Sequence, residues 1–132
     1  MCPEWDCGCP TPACKLTGMW IASQYGFFSI VRKDEDVFFI RARVRQDLEN
    51  LLAMACLKDE DDGIHVWPQA DYRYRIIVDL EVLLEIFIQL AAGIDYPNFK
   101  ARVYEREDQV DKLGPYQRIW SLMSELQDKE EV

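Results

Sequence analysis

Four of the five cysteines, Cys2, Cys7, Cys9 and Cys14, crowd the first fourteen residues in the pattern C-x4-C-x-C-x4-C. In a reducing compartment four such thiolates are a ligand set for one tetrahedral Zn²⁺. The single residue between Cys7 and Cys9 is shorter than the usual zinc spacing, although Gly8 eases the turn. Reduced thiols and disulfides are the competing fates. A four-thiolate ion leaves no open position for water, so the zinc expected here is structural.

The second chemical feature is arginine. Alternation along residues 37–45 sends Ile40, Ala42 and Val44 to one face of a strand and Arg41, Arg43 and Arg45 to the other. Along 72–78 it separates Arg73 and Arg75 from Tyr72, Tyr74 and Ile76. Guanidinium forks beside tyrosines are what carboxylate and phosphate recognition uses. The five arginines are a third of the 15 Lys and Arg in the chain, and they converge on one predicted surface, with Lys100 a candidate neighbour. The plain alternative is pairing with acids such as Asp71, Glu105, Glu107, Asp108, Glu130 and Glu131. Two like-charged rows on adjacent strands repel, so either acids interleave with them or the surface awaits an anion.

Covalent catalysis is poorly supplied. The chain has one histidine, His65, inside a predicted strand, and Cys56, late in a predicted helix, reads as a small core residue. The carboxylates Asp59 to Asp62 sit in a charged turn, and no glycine-rich phosphate loop or dinucleotide fingerprint is present. The sequence therefore favours a binding protein over an enzyme.

The elements that must position these residues follow from periodicity. Residues 19–22 and 27–31 read as strand broken at Tyr25-Gly26, followed by a strand over 37–45 after a charged turn. Helical spacing of Leu48, Leu51, Leu52 and Ala55 predicts a helix over 46–57. Strands over 64–67 and 72–78 come next, then a helix capped by Asp79 that runs to Ala92 and stops at Gly93. Residues 95–106 and the stretch after Pro115 predict two more helices. The order ββαββααα predicts an α+β fold, an antiparallel sheet of about four strands with helices packed on one face and the other face open. Trp20, Trp67 and Trp120 fall on the apolar pattern and read as core anchors, while Trp5 lies in the cysteine segment as a cover for metal or an anchor for a partner. The chain divides into a Cys/Pro-rich segment, 1–18, and a single domain, 19–132.

At 132 residues and a formal charge of -9, the chain opposes nonspecific adhesion to nucleic acid or anionic membranes. The opening residues lack an apolar signal core, which predicts a cytoplasmic protein, and the most apolar run, 80–94, is too short and too interrupted to span a bilayer. That run is apolar nearly all round, which predicts self-association as a homodimer. The expected function is capture of an anionic partner by Arg41, Arg43, Arg45, Arg73 and Arg75. A protein partner is favoured, with nucleic acid or a phosphorylated ligand behind it. The competing reading is an acidic inhibitor of phage or mobile-element type, which presents Asp34 to Asp36, Asp59 to Asp62 and Glu105 to Asp111 to a basic nucleic-acid-binding site on another protein.

The segments Gly26-Phe27-Phe28-Ser29-Ile30-Val31, Arg41-Ala42-Arg43-Val44-Arg45-Gln46-Asp47-Leu48-Glu49, Asp71-Tyr72-Arg73-Tyr74-Arg75 and Ile94-Asp95-Tyr96-Pro97-Asn98-Phe99-Lys100, with Tyr116 and Trp120, resemble a family of small bacterial proteins of similar length. The resemblance covers about residues 19–126 and leaves the cysteine segment outside. That family carries no assigned activity, so the resemblance implies none.

Overall fold

A computed structural model describes residues 18–57 and 63–130. Cys2, Cys7, Cys9 and Cys14, Trp5 and the acids Asp59 to Asp62 and Glu131 lie outside the described residues. Two compact units divide at Asp95 and Tyr96, within the stretch that the sequence groups as one domain.

The first unit is an antiparallel sheet with helices. Strands β1 (Met19–Ala22), β2 (Phe27–Asp34), β3 (Val37–Ala42), β4 (His65–Val66) and β5 (Tyr74–Val78) stand in the order β1-β2-β3-β5-β4. The architecture is the α+β fold that the periodicity predicts, with five strands in place of about four. The extra strand arises because Tyr25-Gly26 belongs to a hairpin turn and is no mere interruption. Ser23 closes that turn: its hydroxyl donates to the Gly26 carbonyl and accepts from the Tyr25 and Gly26 amides. Short turn-forming side chains do this readily.

Helices α1 (Arg45–Met54) and α2 (Leu80–Ala92) cover one face. Phe28, Ile30, Ile40, Ala42 and Ile76 from the strands meet Leu48, Leu51, Leu52, Leu83 and Ile86 from the helices in one buried cluster. The Asp79 side chain accepts from the Val82 amide at 2.9 Å and so caps α2 as expected, and Gly93 ends it in ordinary right-handed geometry. Asp36 in the β2–β3 turn adds a second acceptor for this helix end, taking the Leu80 amide at 2.8 Å.

Helix α1 grips the first hairpin turn through two polar side chains. Asp47 is buried and accepts the Phe27 amide at 3.1 Å, while Asn50 donates to the Tyr25 carbonyl at 2.9 Å. Gly26 permits this approach, since a Cβ there would lie 2.4 Å from the Asp47 Cβ. The obstructing atoms belong to the Asp47 side chain, which is buried and tied to the Phe27 amide. Gly26→Ala should therefore lower stability by about 1–3 kcal/mol, the usual range for overpacking a well-packed site. The shift of the urea midpoint at unchanged slope checks it.

The second unit, Tyr96–Val132, contains α3 (Phe99–Tyr104), a 3-10 turn (Glu107–Lys112) and α4 (Leu113–Asp128). Phe99 stacks at a tilt against Tyr96 and Tyr116, with ring centroids 6.3 and 5.6 Å apart. Asn98 caps α3 by accepting the Ala101 amide. No residue of α4 is buried.

Three expectations for single residues are overturned. Trp20, Trp67 and Trp120 are no core anchors: they are 47%, 49% and 66% exposed. Periodicity marks an apolar position without saying which face of a sheet or helix finds a cover. Cys56 is exposed beyond the end of α1, in left-handed backbone at φ 57°, and is no core residue. Strand β3 stops at Ala42, so Arg45 leaves the predicted strand and opens α1, and Arg43 lies in the bend between them. Among the described residues no helix is long and apolar enough to cross a membrane.

Candidate anion site

The strand register builds the site. Trp20 of β1 pairs with Ser29 of β2, Ser29 with Arg41 of β3, Arg41 with Arg75 of β5, and Arg75 with His65 of β4. These five residues form one row across the whole sheet. The core-facing neighbours Phe28, Ile30, Ile40, Ala42 and Ile76 point to the helices, so the row lies on the sheet face opposite α1 and α2, where Trp20 and His65 are exposed and Ser29 and Arg75 are buried. Two arginines thus stand directly opposite each other at the centre of the sheet, the arrangement of like charges that destabilises a strand pair.

Aromatic rings, not acids, receive these cations. The Arg75 guanidinium lies 3.9 Å from the centre of the Trp67 ring and 5.8 Å from that of Phe39. The Arg41 and Arg43 guanidinium carbons sit 4.8 and 4.3 Å from the centre of the Tyr72 ring. Cation–π contacts of this kind are worth about 0.5–2 kcal/mol and leave the positive charge uncancelled.

The hydrogen bonds are also incomplete. Arg75 is only 4% exposed, and its Nη2 donates to the Tyr72 carbonyl at 2.6 Å. Arg41 Nη2 donates to the Ser29 hydroxyl at 2.7 Å. The Nε of both arginines is buried with no acceptor. Among the described residues no carboxylate forms an ion pair with Arg41, Arg43 or Arg75. Arg43 meets Asp71 through the backbone, donating to its carbonyl at 3.0 Å.

The electrostatics agree with that geometry. Burial pushes the Arg75 pKa below its ordinary value, and the nearby positive Arg41 pushes it the same way. Burial also lowers Arg41, opposed by Tyr72 and Asp71 and assisted by Arg43. Guanidinium groups nevertheless stay protonated in proteins. Two neighbouring positive charges, partly desolvated and without an ion-paired carboxylate among the described residues, therefore stand on the sheet face opposite α1 and α2.

The other arginines named from the sequence have different surroundings. Arg45 pairs with Glu49 at 3.5 Å, one turn on along α1. Arg73 is exposed before β5, where its carbonyl accepts the Trp67 amide. Lys100 lies on α3 of the second unit, beside a shallow groove lined by Phe99, Leu113, Tyr116, Gln117 and Trp120. The strand register therefore brings Arg41 and Arg75 together with Ser29 and His65, and rings join Arg43 to them.

Sequence reasoning missed the parts that complete the site. Ser29, Tyr72, Phe39 and Trp67 shape it, yet Ser29 and Phe39 sit in apolar strand runs, Trp67 reads as a core anchor, and Tyr72 reads only as a strand tyrosine near the arginines. The pairing of Val31 with Phe39 and of Ser29 with Arg41 was the missing link, because register decides which residues share a face. His65 is exposed on the edge strand, and no contact in the structure joins it to Cys56. Among the described residues no group of His, Cys, Asp and Glu is placed to hold a metal ion.

No protein-family model, curated protein or solved structure matches this chain.

Proposed function

We propose that the chain is a binding protein that holds an anionic group of a partner on the sheet face opposite α1 and α2, at Arg41 with Arg75 behind it. The observation that carries this reading is the opposed arginine pair, Arg75 buried and Arg41 half-buried, with no ion-paired carboxylate among the described residues. A fold that needed these positions only for structure would tolerate apolar residues there at less expense of solvation. Keeping two like charges face to face at the centre of a small sheet, with no ion-paired acid among the described residues, is the kind of local conflict expected at functional sites.

The surroundings favour a protein as the partner. Trp20, Trp67, Tyr72 and Ile77 surround the arginines, and Trp20, Trp67 and Ile77 are about half exposed. Tryptophan, tyrosine and arginine are the residues that dominate protein–protein hot spots. A long nucleic acid would meet the repulsion of a chain whose net charge is -9. A phosphate group on a protein partner uses the same donors as a carboxylate.

The double variant Arg41→Glu with Arg43→Glu tests the reading. Both side chains reach the surface, so the fold should survive while binding of a glutamate-rich probe peptide falls at least tenfold. Calorimetric titration measures the loss, and circular dichroism confirms the fold. Undiminished binding would refute the site. The same peptide should bind more weakly as salt rises, since the contact is a charge pair at a surface.

A further inference from the structure

The arginine pair adjoins a groove of about 290 Å³ lined by Lys33, Asp34, Val37, Phe39 and Trp67. Its walls are chiefly apolar. Phe39 and Trp67 meet edge to face, with centroids 6.2 Å apart, and the Lys33 ammonium lies 5.6 Å from the Phe39 ring centre. The groove and the arginines are continuous, because Arg75 stacks on Trp67 and Phe39 stands two residues before Arg41 on the same strand face. One surface thus presents an apolar slot and a cationic spot side by side.

Spacing fixes what fits both. Residues 39 and 41 of an extended strand project on the same side, about 6.6–6.8 Å apart. An extended partner segment running along β3 projects its own side chains with the same period, and its adjacent residues point to opposite sides. A large apolar residue and an acid reach the slot and the arginines together only when one residue separates them. Adjacent residues cannot. Positive charge lies against the slot's two rings, Lys33 at Phe39 and Arg75 at Trp67, and exceeds the one acid of the lining, Asp34, so an acidic segment is the complementary one.

We infer that the partner segment is extended and carries a large apolar residue and an acid two positions apart, the apolar side chain against Phe39 and Trp67 and the carboxylate at Arg41. This inference rests on the anion-binding reading above and adds the apolar anchor and the spacing. Recognition by paired features explains how a modest charge contact becomes selective, since each feature alone is common on acidic proteins.

The test uses three short peptides and the full chain. The first carries Phe-Ser-Glu, the second Phe-Glu-Ser and the third Ala-Ser-Glu, all flanked by serine and glycine and blocked at both ends. The first should bind at least tenfold tighter than the other two, as read by calorimetry or by chemical-shift changes at Phe39 and Trp67. Phe39→Ala and, separately, Trp67→Ala should erase that preference, so that Phe-Ser-Glu and Ala-Ser-Glu bind each variant equally. Equal binding of all three peptides, with loss on Arg41→Glu, overturns the anchor and leaves the anion site standing. Binding that Arg41→Glu does not weaken overturns the anion site itself. A single-stranded oligonucleotide that outcompetes Phe-Ser-Glu overturns the choice of a peptide partner.

Discussion

Replacing Arg75 by methionine should make the protein more stable and remove its affinity for anions. The two effects share one cause. Arg75 is only 4% exposed, its Nε has no acceptor, and among the described residues no acid forms an ion pair with it. The backbone contact to Tyr72 and the stacking on Trp67 return part of the solvation lost on burial. Methionine matches the length of the aliphatic stem and fills the space beneath Trp67 without a charge to desolvate. Replacing buried charged groups by well-packed apolar ones is often neutral or stabilising by about 1–4 kcal/mol. For a single arginine that gives up one good hydrogen bond, a gain of about 1–2 kcal/mol is expected.

The pH dependence follows from the direction of the shift. Burial lowers the folded-state pKa of Arg75, so folding disfavours its charged form. That penalty is present in full at every pH below the lowered value and is relieved only as pH rises through it. Because the guanidinium stays protonated throughout the ordinary range, the gain from Arg75→Met should be flat between about pH 5 and pH 9. Urea unfolding at several pH values measures it. A variant that loses stability across that range would show that Arg75 is a structural cation, and the argument for an anion site would lose its main support. In the natural chain, a bound anion should raise the melting temperature by mass action, and Arg75→Met should cancel that rise.

How much of this was readable in the sequence depends on which physical property decided each feature. The helix over Leu80–Ala92 and its Asp79 cap were legible, because capping and helical period are local. The arginines were legible as a group because alternation is also local. Their sorting was not: Ala42 ends the strand, and two residues later Arg45 already belongs to a helix and pairs with Glu49. Opposition of Arg41 and Arg75 depends on register between strands 34 positions apart in the chain, since 75 − 41 = 34, and nothing local encodes it. The tryptophans show the same limit from the other side. Trp20 and Trp67 sit on apolar patterns as core residues do, but they stand on the face that no helix covers.

The adjacent phenylalanines of β2 should separate these two faces by stability alone. Phe28 is 1% exposed and packs in the cluster with Ile30, Ile40 and Leu48, whereas Phe27 is half-buried beside Trp20 at 5.8 Å. Phe28→Ala removes a full ring from a dense interior and leaves a cavity, which costs about 3–5 kcal/mol. That is a large fraction of the roughly 5–15 kcal/mol that holds a domain together. Phe27→Ala trims a ring that solvent already reaches, so a loss of about 1 kcal/mol is expected, near the middle of the distribution for point substitutions. Urea denaturation of both variants measures the difference. Similar losses would mean that a second layer covers the Phe27 side, and the arginine row beside it would then be an interior feature closed to any partner. A wide gap means that the Phe27 side packs far less tightly than the core side, as the exposure of Trp20 beside it already indicates.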